Sequence, residues 1–227
     1  MKLTWFGHSN FLLEADGLRV IIDPFFEGNP KAPGGWEAAG KVDAVLVTHD
    51  HGDHVGQSAE IAQATGAKLV CIYDMVPMFQ ERGVPGGQIV GMNLGGTVEP
   101  LPGLRVKMVQ AFHSSPSGAP AGYIATFPGG FCAYHSGDTA LFSDMKLFRR
   151  FFDIDLALLP IGGWFTMDAN EAAVACSFLG CRNVAPMHWG TFPILAQNTS
   201  GFAKALREHA PETRLVDIAP GQTVEVE

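Results

Sequence analysis

Residues 48–54 read Thr48-His49-Asp50-His51-Gly52-Asp53-His54, directly after the apolar run Val42, Ala44, Val45, Leu46 and Val47. A strand ending in a turn crowded with imidazoles and carboxylate serves no core, because each such group, once buried, needs a hydrogen bond or an opposite charge. Metal coordination supplies a reason for the pattern. Imidazole nitrogen and carboxylate oxygen are the common ligands of zinc and its divalent neighbours. Side chains alternate along an extended segment, so His49 and His51 face the same side and can grip one ion. Asp53 and His54 diverge and can be offered to a second ion roughly 3.5–4 Å away, the spacing of two-metal sites that activate water.

Four ligands are too few for two ions, and the chain has further candidates just beyond later strands. His113 follows the apolar segment 104–110, Asp138 lies in His135-Ser136-Gly137-Asp138-Thr139, and His188 lies in Pro186-Met187-His188-Trp189-Gly190-Thr191. Taken alone, each reads as a capped or turn residue. Together with the 48–54 turn they form a set: His49, His51 and His113 for one ion, Asp53, His54 and His188 for the other, and Asp138 between them. Two divalent ions are expected, zinc first, with manganese or iron compatible with the same donors. Asp53 is the candidate to hold the attacking water and accept its proton, and His8, in Gly7-His8-Ser9, is the candidate substrate or outer contact. His135 is expected as a buried partner of the centre, and His209 to face solvent at the end of the last helix. Trp36, Trp164, Phe165 and Phe192 are candidates for a pocket wall, though core packing explains any aromatic by default.

The rest of the chain sets the frame. Its 227 residues are 47% hydrophobic and 17% charged, a globular profile without a disordered block. A net charge of −8 and the lack of a basic stripe argue against nucleic acid as a partner. No apolar run is long enough to span a bilayer, and the first residues lack an extended apolar core of the secretory type, so a cytoplasmic protein without membrane insertion is expected. The expected partner is a small-molecule substrate, with homo-oligomerisation left open. Cys71, Cys132, Cys176 and Cys181 sit in apolar surroundings without a CxxC pair and read as reduced core thiols.

Short β-type runs dominate the first half: 2–6, 10–14, 19–22, 68–72, 97–99, 104–110, 122–127 and 131–135. Residues 28–40 read as a long loop. Helices are expected over 58–65, stopped by Gly66, and over 75–82, stopped by Gly83. Phe142, Met145 and Phe152 share a helical face, and Asp168 with Glu171 forms a capping box for a helix that Gly180 ends. Strands at 156–159, 183–185, 214–217 and 223–226 and a helix from 200 to 208 complete the pattern. Too few helices are present to cover both faces of one parallel sheet, so two packed sheets with helices outside are expected, in one domain over residues 1–227 with no internal repeat.

The HxHxDH turn, the later His, the Gly-Asp-Thr aspartate and the final His resemble the dinuclear motif of the metallo-β-lactamase superfold. Gly7-His8-Ser9, the stretch from Ser136 to Lys146, Leu159-Pro160-Ile161-Gly162-Gly163, and Pro186 to Pro193 more closely resemble a family of small metal-dependent hydrolases of bacteria and archaea. That family is similar to lactonases acting on sugar-acid phosphates and to phosphodiesterases acting on N-acyl phospholipids. The resemblance implies an α/β fold, a four-layer αββα sandwich with metals at one edge, and hydrolysis of a small ester, lactone or phosphodiester. The chain departs from the family pattern at Trp189, where a smaller side chain or tyrosine is expected. A metal-retaining sensor or partner-binding protein without turnover is the competing reading. The filling of all seven ligand positions weighs against it.

Overall fold

The computed structural model describes residues 1–227. Its strands are β1 (Lys2–Trp5), β2 (Phe11–Ala15), β3 (Leu18–Ile22), β4 (Ala44–Leu46), β5 (Lys68–Ile72), β6 (Ile89–Met92), β7 (Thr97–Leu101), β8 (Leu104–Gln110), β9 (Ala121–Thr126), β10 (Cys132–His135), β11 (Leu156–Pro160), β12 (Asn183–Met187), β13 (Arg214–Leu215) and β14 (Thr223–Glu225). The helices are α1 (Gly52–Val55), α2 (Ser58–Thr65), α3 (Val76–Glu81), α4 (Met145–Phe148), α5 (Ala169–Leu179) and α6 (Ser200–His209).

Two seven-stranded sheets result, ordered β14-β1-β2-β3-β4-β5-β6 and β13-β12-β11-β10-β9-β8-β7. Strands β1 to β3 form an antiparallel meander and β3 to β6 run parallel; β7 to β10 and then β10 to β13 repeat that plan. No internal repeat was legible in the sequence, because strand direction is a property of connections rather than of residue types.

The sandwich follows from burial on both faces of the parallel strands. In β11, Leu156 and Leu158 join the core shared with the first sheet, while Ala157 and Leu159 join the cluster built with α5 and α6. Residues Ala59, Ile61 and Ala62 of α2 and Phe79 of α3 pack onto the first sheet. The expected αββα arrangement is therefore observed. The Asp168–Glu171 capping box is formed in full, and Gly180 and Gly66 end α5 and α2 in left-handed conformation. All four cysteines are free and buried. No helix is long and apolar enough to cross a membrane.

Several local expectations are corrected. Strand β6 was not among the expected strands; Gly91 interrupts its apolar run Ile89-Val90. A Cβ at Gly91 would lie 2.7 Å from Val76 Cγ2, so glycine admits the close approach of the chain over this strand. The expected 142–152 helix reduces to α4, and residues 28–40 contain a 3-10 turn, Trp36–Ala39. Trp36 packs against the core rather than walling a pocket.

The topology fixes where function can reside. Strands β1, β3 and β4 of the first sheet and β8, β10 and β12 of the second end on one common rim. Backbone bonds stitch the two sheets there: Ala121 N–H to Thr48 O at 3.0 Å and His188 N–H to His8 O at 3.2 Å. The carboxyl ends of parallel strands are the usual place for ligands in such sheets.

Candidate metal centre

Each rim strand delivers one or more polar side chains. His8 follows β1, Asp23 follows β3, Thr48 to His54 follow β4, His113 follows β8, Asp138 follows β10, and His188 follows β12. Within the 48–54 turn, His51 caps α1 in extended conformation, so the following turn swings Asp53 and His54 onto a helix. Asp53 and His54 therefore diverge from His49 and His51.

Ligand atoms converge in three overlapping groups, the atoms of each lying within 4.8 Å of one another: His49, His51 and His113; His8, Asp53, His54 and His188; and His49, His54 and Asp138. All seven side chains chosen as ligands from sequence lie in this cluster, and His8 lies with them. Asp138 Oδ2 stands 3.3 Å from His54 Nε2, 3.0 Å from His188 Nε2 and 3.7 Å from His113 Nε2.

The hydrogen-bond network assigns the tautomers. Thr48 Oγ1 has one hydrogen and donates it to Asp23 Oδ2 at 2.7 Å, so His49 Nδ1–H donates to Thr48 Oγ1 at 3.0 Å. His49 Nε2 is left as a lone pair, 3.0 Å from His51 Nδ1. His54 donates Nδ1–H to Asp23 Oδ2 at 2.7 Å and also turns Nε2 toward the cluster. Asp23, fully buried, thus orients two candidate ligands at once.

The sequence reading missed Asp23. Its only local signal was a lone Asp between a strand and Pro24, a pattern that ordinary turns share. It adopts a left-handed backbone with φ of 48°, as do His8 and His188 with φ of 56° each. Such strain in non-glycine residues clusters at functional sites. Asp50, also unassigned, accepts a bond from Ser115 Oγ at 2.9 Å and so ties down the loop after His113.

The electrostatics suit a cation. Burial pushes the His54 imidazole down, but Asp138 and Asp23 on either side outweigh it and hold its pKa well above the ordinary value. Burial alone would raise Asp138; His54 and His188 hold its carboxyl well below the carboxylate range. Burial lowers His49 to about 2, assisted by neighbouring His54, and lowers His8 to about 4. Burial favours the neutral acid of Asp53, yet the His8 hydrogen bond and the His54 charge hold its carboxyl low. His54 Nε2 and Asp138 Oδ1 are buried without any hydrogen-bond partner. An orphaned nitrogen and oxygen among crowded imidazoles, with carboxylates that favour positive charge between them, are what a bound divalent cation would satisfy.

His8 holds Asp53. Since Asp53 is ionised, His8 donates Nε2–H to its Oδ2 at 3.1 Å, and His8 Nδ1 accepts from Thr191 Oγ1 at 3.0 Å. His135 does not reach the cluster. Its Nε2–H donates to Ser9 O at 2.9 Å and its Nδ1 accepts from Gly137 N–H at 3.1 Å, so it braces the backbone beside Asp138. His209 is exposed, as expected. Trp189 donates to Pro186 O and packs on Trp5, ring centroids 5.1 Å apart, while Phe165 and Phe192 line the cavity over the cluster. Trp164 stands out into solvent, 76% exposed, and does not line that cavity.

Two sheets that meet at a His- and Asp-bearing rim define the metallo-β-lactamase superfold, and the β-lactamase superfamily domain model matches residues 18–189. A UPF0173 metal-dependent hydrolase of Nitratidesulfovibrio vulgaris (strain DP4) is 54% identical over 226 residues, covering 98% of this chain and 94% of the relative. One from Pyrobaculum calidifontis is 43% identical over 228 residues and covers all of both chains. The solved structure of Igni18, a metallo hydrolase from Ignicoccus hospitalis, superposes with a TM-score of 0.89 at 37% identity, covering 98% of this chain and 97% of that one. The chain belongs to this UPF0173 family of metal-dependent hydrolases.

Proposed function

We propose that the rim cluster holds two divalent ions, zinc first and manganese or iron with the same donors, and hydrolyses a small ester, lactone or phosphodiester. His49, His51 and His113 would hold one ion, Asp53, His54 and His188 the other, with Asp138 between them. The observation that carries this reading is the convergence of the ligand atoms in three overlapping groups, each within 4.8 Å, with His54 Nε2 and Asp138 Oδ1 left without partners. When bound, such ions act as Lewis acids and lower the pKa of water toward about 7.

The chain's own residues divide the remaining work. The Asp53 side chain is 28% exposed, against 3% for Asp138. Asp53 therefore reaches the open cavity, where it holds the attacking water and takes its proton. His8, fixed between Thr191 and Asp53, keeps that carboxylate oriented and ionised. The enclosed Asp138 sets the charge between the imidazoles.

Asp53→Asn tests the division. Turnover of a phosphodiester such as bis(p-nitrophenyl) phosphate, or of a lactone, is expected to fall by roughly 10²–10⁴-fold, the range for removing a general base. Bound metal, measured on the same sample, is expected to fall far less. Parallel loss of metal and turnover would make Asp53 a ligand without a role in proton transfer.

A further inference from the structure

The cavity above the cluster has a volume of about 330 Å³, within the range of small-molecule sites. Eight residues line it, and six of these are the candidate ligands His51, Asp53, His113, Asp138 and His188 together with Ser114. The other two are Phe165 and Phe192. Once ligands are set aside, a substrate's non-reacting part meets two phenyl rings and one hydroxyl. No lysine or arginine is there to pair with a charge on that part.

Both rings are held in place. Phe192 sits edge-on to the His8 ring at 5.5 Å, and its carbonyl accepts from Leu195 N–H at 3.1 Å and Gln197 Nε2–H at 2.9 Å. Phe165 lies in a loop closed by Gly163 N–H to Met167 O at 3.0 Å. That loop is fastened beside Asp138 by Met167 N–H to Thr139 O, also at 3.0 Å. Phe165 is nevertheless 55% exposed, its neighbour Trp164 has a left-handed backbone with φ of 56°, and Phe112, beside His113, is 60% exposed. Phe165 and Phe192 share the lining of this one cavity, and core packing does not explain a ring such as Phe165 kept in water by a pinned loop. Apolar surface exposed in this way marks a binding site.

Resting on the hydrolase reading, we propose that the substrate is an uncharged ester or lactone bearing a flat apolar group, and that Phe165 and Phe192 hold that group. Offset or edge-on contact with two rings favours an aryl group over a small alkyl one. Hydrolysis then adds water across the acyl C–O bond, giving the carboxylic acid and the alcohol, with no further reactant needed.

The test uses pairs that share a leaving group, so that reactivity and binding are not confounded. Methyl phenylacetate is compared with methyl acetate, and α-phenyl-γ-butyrolactone with γ-butyrolactone; monomethyl succinate serves as a charged member. Metal-loaded wild type is expected to favour each phenyl member by about 10-fold in kcat/KM, mainly through KM, and to disfavour monomethyl succinate. Phe165→Ala is expected to bring the phenyl-to-small ratio toward one, with metal content measured alongside to show that the centre is intact. Turnover without phenyl preference, or a preference that survives both Phe165→Ala and Phe192→Ala, would overturn this proposal alone. No turnover of any ester, lactone or phosphodiester by metal-loaded protein would overturn the hydrolase reading and this proposal with it.

Discussion

Asp138→Ala is expected to remove both bound metal and turnover while leaving the protein folded. Asp138 is the one carboxylate with three imidazoles within 4.0 Å, its Oδ2 lying 3.0 Å from His188, 3.3 Å from His54 and 3.7 Å from His113. Losing an outer partner of a ligand already costs roughly 10–100-fold in metal affinity or activity. Loss of a residue that lies between the two proposed ion positions should exceed that range. The folded structure should persist, because the alanine enlarges a polar cavity near the surface and leaves both cores untouched. Mass spectrometric metal content, turnover and near-ultraviolet circular dichroism on one preparation check all three parts. Retained metal with full turnover would remove Asp138 from the centre.

Asp23→Ala is expected to act on the fold and on the centre together. Asp23 accepts three bonds in the interior, from Thr48 N–H at 2.8 Å, Thr48 Oγ1–H at 2.7 Å and His54 Nδ1–H at 2.7 Å. Removing one side of a buried charged pair typically costs about 3–5 kcal/mol, and here three donors lose their acceptor. The imidazoles of His49 and His54 would also lose the constraint that turns Nε2 toward the cluster. Denaturant unfolding of the metal-free protein measures the first effect, and metal titration of the folded fraction measures the second. Stability within about 0.5 kcal/mol of wild type, the usual range for an exposed site, would contradict the role given to Asp23.

The candidate ligands were legible because their chemistry is misplaced in any other role: three imidazoles and two carboxylates in one turn would burden a core. His113, Asp138 and His188 gained meaning only as companions to that turn, each beyond an apolar strand. Asp23 could not be read this way. Its function comes from the parallel pairing of β3 with β4, which places Ile22 beside Leu46 and so brings Asp23 up to Thr48. A lone Asp before proline carries no trace of that adjacency. Similarly, β6 was hidden by Gly91, whose value is the space it leaves for Val76 across the fold. The helix expected around Phe142 to Phe152 shrank to α4 because apolar spacing reports which residues face inward, and turns can satisfy that as well as a helix. The His8–Asp53 bond lay outside the sequence pattern too, since it joins residues 45 positions apart across the rim.

Two divalent ions at the rim, as proposed, are tested most directly by the metal content of the purified protein after supplementation and removal of loose metal. About two equivalents per chain, reduced together by Asp138→Ala, is the predicted result. Fewer than one equivalent in folded protein would contradict it.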